Sequence, residues 1–220
     1  MAEVPELLLI DKPYGITSFD VIRRLRRKFN IKKMGHAGTL DPLATGLMII
    51  GVGAGTKKLT ELLKLDKEYV AEVRIGESRT TGDLEGEIVE SKKVEGLKVE
   101  IVQEALISMI GELALPVSAY SAIKVDGVPM YKRARKAEKT GEEVSEVPVR
   151  QMRVYKAELL SCMIVGNNGV ATVRFAVGSG TYIRSLAEDL GRRLGYPATL
   201  QNLRRTKVGD FDIKDAQTIE

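Results

Sequence analysis

The chain has no tryptophan, one cysteine and one histidine in 220 residues, and aromatic residues make up only 5% of it. A lone cysteine, Cys162, excludes an internal disulfide, and one Cys with one His cannot assemble the usual tetrahedral zinc sets. The lack of tryptophan argues against a sugar-stacking groove or an aromatic cage. Near the N-terminus the only apolar run is Leu7 to Ile10, too short for a signal peptide or a membrane span, so no membrane is expected and cytoplasm is the default location. No H-E-x-x-H, G-x-S-x-G or calcium-loop pattern is present, and Gly51, Gly53 and Gly55 match neither dinucleotide nor P-loop spacing. No repeat or low-complexity segment is found. These absences remove the common metal, triad and nucleotide chemistries.

What is present is an ordinary globular composition, 44% hydrophobic and 29% charged, with a net charge of +4. The distribution of charge says more than its sum. Val21 to His36 carries seven Lys or Arg and no acid, and Leu190 to Val208 carries five and no acid. Asp83 to Glu112 is rich in Glu. Such segregation makes a basic face of the kind that phosphate backbones favour.

Between the strand-like Leu7 to Ile10 and the buried run Leu47 to Ile50, a helix starts at Thr17 or Ser18. Asp20 is placed for a capping box, and Ile22, Leu25 and Phe29 lie at helical spacing. Lys67 to Gly76 alternates as a half-buried antiparallel strand. Val102, Leu106, Met109 and Leu113 predict an amphipathic helix. Ala122 to Val125 reads as a strand before a turn at Asp126-Gly127, followed by a short basic helix. Met152 to Ile164 and Val170 to Val177 predict two strands joined by a turn at 166–169, and a last helix starts near Tyr182. Strands dominate with a few helices, so the expected fold class is α+β.

One stretch organises the candidate chemistry: GHAGTLDPLATG, Gly35 to Gly46. It holds the single histidine, His36, and a carboxylate, Asp41, fixed in front of Pro42. The plain reading is a turn whose Asp accepts backbone N–H groups. The functional reading is an acid held in one place beside a basic surface, acting as nucleophile or base without metal or cofactor. Arg184, at a strand-to-helix junction with Tyr182, suits either a surface cation or a partner for such an acid. Tyr69 suits either a core position or an aromatic platform. Arg23, Arg27, Lys32, Lys33, Arg204, Arg205 and Lys207 are candidate contacts to a phosphate backbone.

At LLLIDKPYGITS, KKMGHAGTLDPLATGLMIIGVGAGTK, KEYVAEVRIG, RTTGDLEG, YSAIKVDG, GTYIRSLAEDLG and LRRTKVG, in that order, the sequence resembles the TruB-type pseudouridine synthases. The resemblance spans nearly the whole chain. It implies a cofactor-free isomerase that converts uridine to pseudouridine in RNA. In bacterial members the target is the T-loop uridine at position 55 of tRNA. It implies that Asp41 is the catalytic aspartate, Tyr69 the base-stacking tyrosine and Arg184 the arginine paired with the acid. Tyr182 and Leu203 become substrate contacts, and His36 helps to displace the target nucleotide. The implied fold is a mixed, largely antiparallel sheet with flanking helices and an RNA-gripping thumb at 115–150.

The resemblance also shows departures. A single catalytic domain over 1–220 is expected, without the PUA-like C-terminal domain of many members. Val177-Gly178-Ser179 stands where Cys-Ser-Lys is often found, and PVSAY where Pro-Pro-x-Tyr is usual. The expected partner is the tRNA T arm, with no protein partner and a monomeric chain. The alternative is a non-catalytic RNA chaperone on the same fold.

Overall fold

The computed structural model describes residues 4–121, 123–125, 127–140 and 147–219, with the side chains at 135 and 138 set aside. In chain order the elements begin with β1 (Leu7–Lys12), α1 (Ser18–Phe29), β2 (Met34–His36) and β3 (Ala44–Val52). After a 3-10 turn come α2 (Leu59–Leu63), β4 (Lys67–Ile75), β5 (Glu77–Arg79) and β6 (Ile88–Ser91). Next are α3 (Val99–Ile107), β7 (Gly111–Pro116), β8 (Lys124–Val125), β9 (Val128–Pro129) and α4 (Met130–Thr140). The chain closes with β10 (Val149–Val165), β11 (Asn168–Val177), α5 (Ile183–Leu194), β12 (Ala198–Val208), β13 (Phe211–Asp212) and β14 (Gln217–Thr218). The fold is α+β with a mixed sheet and flanking helices.

Two compact units share this chain. The first is Met1–Ala71, Arg174–Gly180 and Asn202–Glu220; the second is Glu72–Val173 and Thr181–Gln201. β4, β11 and β12 each contribute residues to both.

In the first unit the strand order is β14-β1-β3-β12-β4, with β2 on β3 and β13 on β12. β1 pairs antiparallel with β3, whereas β14 runs parallel to β1 and β12 parallel to β3. The unbroken apolar run of β3 is explained by burial on both faces: Leu47, Met48, Ile49 and Ile50 are all fully buried. Ala37, Leu47, Ile49 and Val208 form the core cluster on one side, covered by Leu7, Leu9, Leu59, Leu62 and Phe211. The capping box at Thr17 and Asp20 starts α1 as the spacing predicts. Val21, Ile22 and Leu25 are its buried face, and Phe29 is only half-buried.

In the second unit the order is β4-β11-β10-β7, and two short hairpins, β5–β6 and β8–β9, stand apart from it. Val102, Ala105 and Leu106 of α3 and Leu186, Ala187 and Leu190 of α5 are buried, as are Met152 and Val154 of β10. Each such Val, Leu or Met side chain contributes about 1.5–3 kcal/mol by leaving water. The predicted helix through Leu113 ends early. α3 stops at Ile107, Gly111 takes φ +122°, and Leu113 lies on β7. A positive φ turns the chain, so the apolar residues continue at strand spacing rather than helical spacing. The hairpin β8–β9 falls at the predicted strand and turn, of which Ala122 and Asp126 lie outside the described residues.

Candidate active site

In the first unit, β2 and β3 form an antiparallel hairpin in register His36↔Ile50 and Gly35↔Gly51. Residues 37–43 are its connection, and Asp41 sits there half-buried. The backbone on each side of Asp41 is tied down. Leu40 N donates to Ser18 Oγ at 2.8 Å, and Ser18 Oγ donates to Leu40 O at 3.0 Å. Pro42 O accepts from Gly15 N at 2.9 Å and from Lys12 Nζ at 3.3 Å. Asp41 O accepts from Ala44 N at 3.0 Å, closing the turn into β3.

Lys12 is fully buried and donates also to Ile16 O at 2.7 Å and Pro13 O at 3.0 Å. One buried ammonium thus joins the Pro13–Ile16 turn to the Asp41 loop.

Arg205 does the same work from β12. It is 1% exposed, with Nε donating to Leu47 O at 2.7 Å and Nη2 to Gly38 O at 3.1 Å. Its place inside the fold corrects the sequence expectation of a phosphate contact. A guanidinium whose donors are spent on buried carbonyls is not on the surface to meet RNA. Arg205 lies opposite Gly46 in the β3–β12 register, and a Cβ on Gly46 would stand 2.3 Å from Arg205 O. Gly46 also has φ +106°, so glycine is required there twice over.

His36 is held toward its neutral form, chiefly by burial and then by the nearby Arg205 charge, with a backbone contact at Gly38 acting weakly the other way. Leu203, 7% exposed, pairs in register with Ala44, and its carbonyl accepts from Thr45 Oγ1 at 3.4 Å. Tyr69, 8% exposed, shares the buried face of β4 with Lys67 and Ala71. The first unit therefore gathers His36, Leu203 and Arg205 around the Asp41 hairpin.

The remaining cations differ in exposure. Arg27, Lys32 and Lys33 are exposed. Arg23 pairs with Asp20, Arg204 makes a two-pronged pair with Asp11 at 2.6 and 3.2 Å, and Lys207 stands 4.0 Å from Asp212.

In the second unit, Tyr182 caps α5 at its start and Arg184 follows in the first turn, 6% exposed. Arg184 Nη1 donates to Thr81 O at 2.9 Å and Ser118 Oγ at 3.1 Å, and Nη2 donates to Tyr120 O at 3.2 Å. Its Nη1 also lies 3.5 Å from the buried carboxylate of Asp83. Asp83 Oδ1 accepts from Thr81 Oγ1 and from Glu85 N, which fixes the acid before it meets the arginine. One turn along α5, Glu188 is pushed up by burial, while Arg184 and then Arg192 pull it back. Asp41 belongs to the first unit and Arg184 to the second.

Sequence reasoning missed Lys12, Ser18, Asp83 and Ser118. Asp83 had a local signal, since a Thr two residues before an Asp at a Gly turn favours side-chain closure onto the backbone. Lys12 had none, because a lysine beside a Pro-x-Gly turn ordinarily reads as solvated.

The first unit carries an acid on a buried-strand hairpin and the second an arginine set by its own acid, within an α+β fold of the pseudouridine synthase class. Residues 26–183 match the model of the TruB family pseudouridylate synthase (N terminal domain). Residues 184–220 match the tRNA pseudouridylate synthase B C-terminal domain. The chain belongs to the TruB family. A tRNA pseudouridine synthase B of Leifsonia xyli subsp. xyli is 45% identical over 97% of this chain and 70% of its own length. That of Corynebacterium efficiens is 44% identical over 96% and 69%. Among solved structures, an H/ACA RNP bound to a substrate RNA containing 2'-deoxyuridine superposes with TM-score 0.68 at 26% identity. That match covers 96% of this chain and 50% of the other. A Cbf5-Nop10-Gar1 complex gives 0.70 at 25%, over 97% and 52%. The chain thus spans about half the length of these structural relatives.

Proposed function

We propose that the chain isomerises uridine to pseudouridine in tRNA, at the T-loop uridine of position 55. The observation that carries this reading is the Asp41 hairpin. Its backbone is tied by Ser18 immediately before the acid and by Gly15 and Lys12 immediately after it. An acid that only closed a turn would not need both neighbours immobilised. The relatives named tRNA pseudouridine synthase B support the same substrate.

The chemistry is balanced within the substrate. The C1′–N1 bond breaks, the uracil turns in place, a C1′–C5 bond forms, and the C5 proton leaves while N1 gains one. No oxidant and no net water are consumed. Asp41 is the carboxylate that starts the reaction, at C6 of the base or by promoting departure from C1′. The uridine must first leave its stack, at a cost of a few kcal/mol. Stacking on Tyr69 and contacts from Tyr182 and Leu203 offset that cost, and His36, kept neutral, helps displace the nucleotide. Arg184 takes the role that the family gives to the arginine beside its acid. Residues 115–150 serve as the thumb, and Arg23, Arg27, Lys32, Lys33, Arg204 and Lys207 meet phosphates. The chain acts in the cytoplasm as a monomer on the T arm.

The test is release of tritium from tRNA carrying [5-³H]uridine. Wild type should release it, and Asp41→Asn should bind the same RNA and release none. Turnover by Asp41→Asn would remove Asp41 from its role.

A further inference from the structure

The two segments bonded to either side of Asp41 each present an exposed aromatic ring. Tyr14 is 70% exposed and stands on the Pro13–Ile16 turn, whose Gly15 N–H donates to Pro42 O at 2.9 Å. Phe19 is 54% exposed and follows Ser18, the residue that exchanges hydrogen bonds with Leu40. Neither ring serves the core. Each stands one residue along the chain from a group that holds the Asp41 loop, so both are carried rigidly with respect to it.

The surroundings of Phe19 are cationic. Arg23 and Arg26 lie over the Phe19 ring, each 5.7 Å from its centroid. Arg24, Arg27 and Lys28 continue along α1 as exposed side chains, and from Val21 to His36 no acid interrupts them. Exposed aromatic faces on a track of guanidinium and ammonium groups are the pattern that binds unpaired nucleic-acid strands. Rings stack on bases and cations follow the backbone. Beyond Asp20, which pairs with Arg23 at the start of α1, the charge is complementary to phosphate along the helix.

We propose that Tyr14 and Phe19 are stacking platforms for the unpaired nucleotides flanking the target uridine, with α1 tracking their phosphates. The inference rests on the isomerase reading for the position of the target. It adds a binding surface that lies outside the loop itself. Because every base has a π face, these platforms hold the strand without selecting its sequence. They act in binding and touch none of the reacting atoms, so their loss raises KM and leaves kcat in place.

The experiment is filter binding of a tRNA T-arm hairpin to wild type, Tyr14→Ala and Phe19→Ala. Each protein is tested with the intact hairpin and with hairpins carrying an abasic ribose at either neighbour of the target. Tritium release is measured on the same proteins. Each substitution should weaken binding about ten-fold, and Phe19→Tyr, which keeps a ring, should bind as wild type. Removing the stacked base should make the matching protein substitution silent. Unchanged affinity in both variants, or losses that simply add to those of the abasic hairpins, would overturn the proposal. Affinity losses without any tritium release from wild type would remove the isomerase reading and leave the platforms standing. Normal release with no affinity loss in either variant would do the reverse.

Discussion

The guanidinium of Arg205 reaches across from β12 to hold Gly38 O at 3.1 Å, inside the hairpin that carries Asp41. The same side chain holds Leu47 O at 2.7 Å, so one buried cation ties the connection to β3. Replacing Arg205 by Met keeps much of the volume and leaves two buried carbonyls short of a donor. Each costs about 1–3 kcal/mol. Urea unfolding should show a loss of about 3 kcal/mol. The folded fraction should lose kcat more than it gains KM, because Asp41 is loosened and no substrate contact is removed. Arg205→Lys should recover only part, since an ammonium lacks the two-pronged geometry.

Two glycines with left-handed φ separate strain from crowding. Gly46 has φ +106°, and an added Cβ would stand 2.3 Å from Arg205 O and 2.7 Å from Arg205 N. Gly15 has φ +83° with open space around its missing Cβ. Gly15→Ala should cost about 1–2 kcal/mol, the strain of the backbone alone. Gly46→Ala forces β3 and β12 apart and should cost well above that, with thermal unfolding ranking the two. Equal losses would mean that the β3–β12 approach yields freely.

Asp83 and Arg184 form a buried pair, with side chains only 4% and 7% exposed. Asp83→Asn keeps the acceptor for Thr81 Oγ1 and Glu85 N but removes the charge facing the guanidinium. Removing one partner of a buried pair typically costs about 3–5 kcal/mol. The hydrogen bonds of Arg184 to Thr81 O and Tyr120 O soften this, so about 2–3 kcal/mol is expected by denaturant unfolding. Ser118→Ala removes a neutral acceptor of Arg184 together with the bonds of Ser118 Oγ to Thr81 O and from Tyr120 N, and should cost about 1–2 kcal/mol. If Asp83→Asn costs no more than Ser118→Ala, the charge at Asp83 is not what holds Arg184.

Much of this architecture was legible in the residues. The capping box at Thr17 and Asp20, the alternation of Lys67 to Ile75 and the turn between β10 and β11 each follow from a local rule, although that turn is 166–167 and not the expected 166–169. The Asp41 stretch stood out because a single acid is framed by glycines and a proline. The clamps around it were not legible. Lys12 and Arg205 come from distant strands, and local pattern reads a cation as a surface residue. Their burial depends on the register of β1 and β12 against β3, which pairs residues far apart in sequence. The early end of α3 was hidden for a related reason: apolar residues at 109 and 113 fit a helix until Gly111 turns the chain.

Lys67 supplies a test by pH. It is 8% exposed, and its Nζ donates to Leu63 O at 2.7 Å, Leu65 O at 2.5 Å and Ser179 Oγ at 3.2 Å. Burial lowers its pKa, the Arg205 charge lowers it further and Asp66 opposes them, leaving it at about 8 against an ordinary 10.5. Between those two values the unfolded chain binds a proton that the native chain has released. Stability therefore rises with pH across that window, and below about 8 the whole penalty is present. The difference in unfolding free energy between wild type and Lys67→Met should change by up to about 3 kcal/mol over the window. In Arg205→Met the Lys67 titration, followed by NMR of its side-chain carbon, should move upward, since one source of repulsion is gone. A Lys67 midpoint near 10.5 in wild type would mean that water reaches the ammonium and that the Arg205 charge is screened from it.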